Sequence, residues 1–209
     1  MSTPDILHAQ MPAPPFATNS SSKRVLTPAP QHIQAQPMRV WHALLFVGIL
    51  ALSAFLNFFQ LQHNGYGNLY YATAVKSMLL SWHNFFFVSF DPGGFITVDK
   101  PPVDLWLQTA SAKLFGFSGF SLFLPQALAG VLAVMVLFHL VRRSFGILAG
   151  SLAALIMAIT PMAVVISSDN NLDMMLVLAV LLATWAVVYA AETGKLPMLL
   201  LGAALVGVG

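Results

Sequence analysis

Three short stretches of this sequence carry side chains able to do chemistry. Asp99-Lys100-Pro101-Pro102 sets a lysine directly before two prolines. The residue before a proline avoids the helical region, and proline suits a first helical turn, so a helix is predicted to begin at Pro102. A lysine beside a helix N-terminus, with its free N–H groups and partial positive charge, can hold a phosphate. The alternative is a capped surface helix with an exposed lysine. Asp104 falls in the first turn of that helix, where a carboxylate suits the dipole and has a structural role. Asp173 opens a long apolar run. A carboxylate at the edge of hydrocarbon is costly, and such residues usually face water-filled cavities and work there; it could equally cap the helix start. Asp169 lies four residues earlier and could share its face. Asp91 stands in Asp91-Pro92-Gly93-Gly94, where Asp is a common turn former. His83, beside Trp82, reads as a hydrogen-bonded interface residue rather than a base or metal ligand. No zinc-protease, P-loop or dinucleotide fingerprint occurs.

The elements that must position these residues belong to a membrane. Of 209 residues 58% are hydrophobic and 8% charged, with 16 Phe, 10 Met and a mean hydropathy of +0.80. That composition excludes a disordered chain and a soluble globule, and predicts an all-α, multi-span helical bundle. With no cysteine, disulfides, thiolate zinc sites and Cys nucleophiles are excluded. A net charge of +2 without a basic stripe excludes nucleic acid as a partner. Residues 1–38 are rich in Pro, Ser, Gln and Thr and read as a disordered cytoplasmic tail. Apolar runs predict spans at about 41–61, 122–141, 147–166 and 172–191. A fifth starts at 196 and breaks off at 209, short of the roughly 20 residues a span needs. The chain therefore reads as the N-terminal part of a longer protein.

Lys and Arg placement gives the orientation. Lys23, Arg24, Arg39, Arg142, Arg143 and Lys195 fall on one side, and Lys76, Lys100 and Lys113 on the other. This predicts a cytoplasmic N-terminus and an outer-face loop at about 62–120, on the same face as the Ser167-Ser168-Asp169-Asn170-Asn171 knot. Within the loop, Leu69, Ala72, Val75, Leu79 and Trp82 recur in steps of three and four, predicting one amphipathic helix over 68–82 lying along the membrane. Thr73, Ser77 and Ser81 would share another face. The second loop helix would run to about Phe115, with Asp104, Gln108 and Ser111 on one face.

Several motifs then carry a resemblance. They are Gly67-Asn68-Leu69-Tyr70-Tyr71-Ala72, Ser81-Trp82-His83-Asn84-Phe85, Asp91-Pro92-Gly93-Gly94, Val98-Asp99-Lys100-Pro101-Pro102, Leu124-Pro125-Gln126-Ala127-Leu128 and Asn170-Asn171-Leu172-Asp173. In this order, the chain resembles bacterial membrane glycosyltransferases of the GT-C class, in the family 39-like group of protein O-mannosyltransferases and the aminoarabinose transferase of lipid A. The resemblance implies transfer of a sugar from a polyprenyl-phosphate carrier to an acceptor outside the cytoplasm, in the bacterial cytoplasmic membrane. It implies Lys100 near the carrier phosphate and a further acid where Asp173 stands. The aminoarabinose transferase carries an Asp-Glu pair where this chain has Gly67-Asn68, so either the base comes from Asp91, Asp99 or Asp173 or the chain is not a standard catalyst. Asp99 could also help hold a divalent metal. Phosphate is a good leaving group, so one carboxylate accepting the acceptor's proton would suffice, with inversion at the anomeric carbon. The rival reading is a transporter or permease fragment with Asp173 as a proton or substrate site, although no inverted repeat is visible.

Overall fold

The computed structural model describes residues 40–59, 61 and 63–208. The tail predicted at 1–38 lies outside them. The described residues form nine helices: α1 (Val40–Phe58), α2 (Leu69–Met78), α3 (Trp82–Phe86), α4 (Pro102–Phe115), α5 (Gly119–Phe145), α6 (Ile147–Ile159), α7 (Pro161–Ser167), α8 (Asp173–Thr193) and α9 (Leu196–Val208). Their only β pairing is an isolated bridge between Ser89 and Thr97. Helices α1, α5 and α8 are long and apolar enough to cross a membrane. The protein is an all-α membrane bundle.

Helix α5 is the spine. Its 27 residues span about 40 Å, more than the roughly 30 Å hydrocarbon layer. Ser118 starts it with a reciprocal cap: its hydroxyl accepts from the Ser121 amide at 3.3 Å, and the Ser121 hydroxyl accepts from the Ser118 amide at 3.1 Å. At the far end Arg143 pairs with Glu192 at the foot of α8. Two ends are thereby defined, a loop end and an arginine end. Between them α1, α6 and α8 pack on α5 through small residues, among them Ala129, Ala133, Ala154 and Ala158. At Gly150 a Cβ would stand 2.9 Å from the Phe138 carbonyl oxygen. Close approach of this kind binds helices in lipid, where apolar contact with a neighbour gains little over contact with lipid tails.

At the loop end α4 lies against α5 and α2 against α4, around a separate core. Tyr71, Val75, Met78, Leu105, Leu122 and Phe123 are buried together there. Helix α4 begins at the expected proline because Pro101 is extended (φ −54°, ψ 138°) and Pro102 takes the first turn.

Three expectations differ from the structure. The helix predicted over 68–82 ends at Met78, because Ser81 caps a new one: its hydroxyl accepts from the Asn84 amide at 3.1 Å. Leu69 and Trp82 are exposed, and Ser77 is buried, its hydroxyl donating to the Asp91 carbonyl at 2.7 Å. The span expected at 147–166 is two helices bent by 62° between Ile159 and Pro161. Pro161 has no N–H, and Thr160 before it is extended. The run expected at 122–141 extends to Gly119–Phe145.

Candidate active site

Two helix N-termini meet at the loop end. Helix α4 brings Lys100 just ahead of it and Asp104 in its first turn, and α8 begins at Asp173. Between them lies a cavity of about 420 Å³. Tyr71, Lys100, Asp104 and Asp173 supply its polar part. The rest is apolar, running from Leu172 through Leu176 and Ala179 to Leu182 on α8, with Leu205 of α9. Ten residues of helix make that apolar wall about 15 Å long. Lys100 and Asp173 are both exposed, and Lys100 has no ion-pair partner among the described residues.

Asp104 is the opposite case. Its residue is only 6% exposed. Gln126 Nε2 donates to both carboxylate oxygens, at 2.7 and 2.6 Å, and Gln108 Nε2 donates to Oδ1 at 3.3 Å. Burial pushes its pKa up to about 6; the two glutamine amides oppose that shift, and the negative charge of Asp173 adds to it. Gln108 Nε2 also reaches the Asn170 carbonyl at 3.2 Å. Asn170 in turn clasps Asn68: its Oδ1 accepts from the Asn68 amide at 2.7 Å, and its Nδ2 donates to the Asn68 carbonyl at 2.9 Å. The knot before α8 is thus tied to the start of α2. Tyr71 sits among acids, and its phenol pKa is raised, first by burial and then by Asp99 and Asp173. It remains a hydrogen-bond donor at neutral pH.

The other expected residues stand outside the cavity lining. Asp99 is exposed next to Lys100. Asp91 closes its own turn, its oxygens accepting from the Ile96 amide at 2.6 Å and the Phe95 amide at 3.3 Å. Those amides, led by Ile96, hold its pKa below the usual carboxylate range. His83 is exposed, with its ring 4.8 Å from that of Phe87. Among the described residues no three His, Asp or Glu side chains cluster to hold a metal ion. Gly67, at φ +62°, lies against Asp169, whose carboxylate fills the space a side chain would need there. Asn68 caps α2, its Oδ1 accepting from the Tyr70 amide at 3.0 Å. Where the resemblance leads to the expectation of two acids, this chain has a left-handed glycine and a helix cap.

Sequence reasoning missed Tyr71 and the Asp104–Gln126 pair. A usable signal existed: Gln126 lies within an apolar run, where an uncharged polar side chain needs a partner.

The family described as dolichyl-phosphate-mannose-protein mannosyltransferase matches residues 99–209, from the acid before Lys100 to the last residue. The chain belongs to this family. Two Bacillus subtilis (strain 168) proteins provisionally named mannosyltransferases, YycA and YkcB, are each 50% identical to it, over 159 and 161 residues. The alignments cover 76% and 77% of this chain but 23% and 22% of those relatives, so it spans under a quarter of their length. No solved structure matches. The family match contains Lys100, Asp104, Gln126 and Asp173, whereas Tyr71 precedes it.

Proposed function

We propose that this chain forms the donor-binding part of a membrane glycosyltransferase that takes a sugar from a polyprenyl-phosphate carrier. The observation supporting it is the shape and chemistry of the cavity, polar at the Lys100 and Asp173 end and apolar along α8. A polyprenyl phosphate has the same two halves. Lys100 would hold the phosphate, with the Val103 amide of the first turn of α4, since Pro101 and Pro102 have no N–H, and Tyr71 would donate to it. The isoprenoid chain would lie along Leu176, Ala179 and Leu182. The relatives' names and the family description favour mannose as the sugar.

In this scheme Asp173 is the base. It is exposed, so an acceptor arriving from outside can reach it. The acceptor oxygen forms a bond to the anomeric carbon while its proton passes to Asp173. The bond from that carbon to the phosphate oxygen breaks, and the electron pair leaves with the phosphate, stabilised by Lys100. Attack opposite the leaving group inverts the anomeric centre. The loop end would face outward and the arginine end, with Arg142, Arg143 and Lys195, would face the cytoplasm. The test is an assay of the full-length protein in membranes with radiolabelled undecaprenyl-phosphate mannose and endogenous acceptor. Transfer of label that Lys100→Met diminishes supports the reading. A wild-type protein that neither binds nor consumes this donor refutes it.

A further inference from the structure

Of the four polar residues that line the cavity, Tyr71, Lys100, Asp104 and Asp173, only Asp104 has no part in that transfer. We propose that Asp104, braced by Gln126 and Gln108, accepts a hydrogen bond from a hydroxyl of the carried sugar and so fixes the sugar's orientation for transfer; this rests on the donor reading just given. An ionised carboxylate has about four lone-pair sites. Gln126 and Gln108 take three of them, and Oδ2 receives one bond only. A buried acceptor with an unspent lone pair, facing a cavity, invites a donor.

The candidates for that donor are few. The isoprenoid chain has none. An ionised phosphate has none and would be repelled by the carboxylate. The sugar is the part of the donor lipid that carries O–H groups. Asp104 also differs from Asp173 in access: Asp173 is open to an incoming acceptor, and Asp104 is closed off at 6% exposure. A group that must meet the enclosed half of the substrate is better buried, and a group that must meet the acceptor is better exposed. The bracing suits orientation, since Gln108 also holds the Asn170 carbonyl and both glutamines are fully buried.

The test uses full-length protein in detergent, with undecaprenyl-phosphate mannose and its 2-, 3-, 4- and 6-deoxy analogues. Binding is read from the thermal shift and turnover from release of labelled sugar. Asp104→Asn keeps the size, and its amide can face Gln126 Oε1, which lacks a partner in the structure. Asp104→Ser is the second variant, should the first fail to fold. With the parent donor, either variant should lower kcat/KM by about 10–100-fold, the scale of one hydrogen bond to a charged group. In wild type, one deoxy analogue should show a similar loss. That analogue should suffer no further loss in the variants, because the shared bond is already gone. Equal losses on the parent and all four analogues would overturn the inference and leave Asp104 a structural support. Unchanged kinetics on the parent would overturn it as well. If wild type shows neither a thermal shift nor turnover with the parent, the donor reading fails and this inference fails with it. A shift in wild type that the variants retain undiminished defeats this inference alone.

Discussion

Asp104→Asn should stabilise the protein at neutral pH and leave it nearly unchanged in acid. The carboxyl's pKa rises from 3.8 to about 6 on folding, chiefly through burial. A raised pKa means the folded state binds the proton more tightly. The stability linked to that proton is fully present below pH 3.8 and is lost as pH rises through about 6. The interval is about two pH units, which at 1.36 kcal/mol per unit gives about 3 kcal/mol as the ceiling. Asparagine does not ionise, so above pH 7 the variant escapes this cost while filling the same space. Thermal denaturation of the full-length protein in detergent, from pH 4 to 8, gives the measurement. The two melting temperatures should nearly coincide at pH 4 and separate by several degrees at pH 7.5, the variant higher. An Asp173→Asn background should narrow the separation, because the charge of Asp173 contributes to the raised pKa. A gap that is constant across pH, or a variant that is less stable at pH 7.5, would refute the reasoning. Paired with the kinetic loss argued above, a gain in stability marks a residue kept for function at a cost to the fold.

Four further outcomes are expected. Lys100→Met should raise the KM for the lipid donor by about 10-fold or more, on the scale of one charge-assisted contact, with a smaller change in kcat; steady-state kinetics in detergent micelles would check it. Asp173→Asn should lower kcat by about 10²-fold or more, as befits loss of a positioned base, with membrane insertion intact on immunoblots. Gly67→Ala should lower the melting temperature more than Gly65→Ala. Both sites have positive φ, but only at Gly67 would a Cβ meet Asp169 and stand 2.7 Å from Asn170 Oδ1, whereas at Gly65 the space is open; equal effects would mean that backbone strain alone, about 1–3 kcal/mol, decides. Cysteines placed singly at the exposed positions His63 and Ser144 should respond oppositely to an impermeant thiol reagent in intact cells, with only the His63 variant labelled.

Some of this architecture was legible because it is local. Lys100-Pro101-Pro102 fixes the start of α4 through the two prolines' own backbone limits, and the helix begins where they require. Asp173 opens α8 for the plain reason that apolar residues follow it. The bend at Pro161 was equally local, but the mean hydropathy of a run does not register the one missing N–H that breaks it. Ser81 was placed on a helix face by its spacing, although its hydroxyl competes for the backbone and starts a new helix instead. Other features are non-local by nature. Asp104 and Gln126 are 22 residues apart, and Asn68 and Asn170 are 102 apart. No spacing rule joins such pairs, so Asp104 read as a helix-dipole carboxylate and Tyr71 drew no reading beyond its place in a family motif.

The Asn68–Asn170 clasp has a consequence for how the protein is made. The loop-end core, Leu61 to Ala127, can assemble soon after α5 leaves the ribosome. Asn170 emerges 102 residues after Asn68, which at about 5–20 residues per second is a delay of roughly 5–20 s. Only the last part of that delay, about 2–9 s between the emergence of Ala127 and that of Asn170, finds Lys100 and Asp104 already made while the wall bearing Asp173 is not. The Asn68 carbonyl already accepts from the Ala72 amide at 3.1 Å, so it is the Asn68 amide that must be served by water until the knot arrives. The cavity is therefore closed from the α8 side as a late step of membrane insertion, and a nascent chain stalled before α8 would present Lys100 with no carboxylate from α8 opposite it.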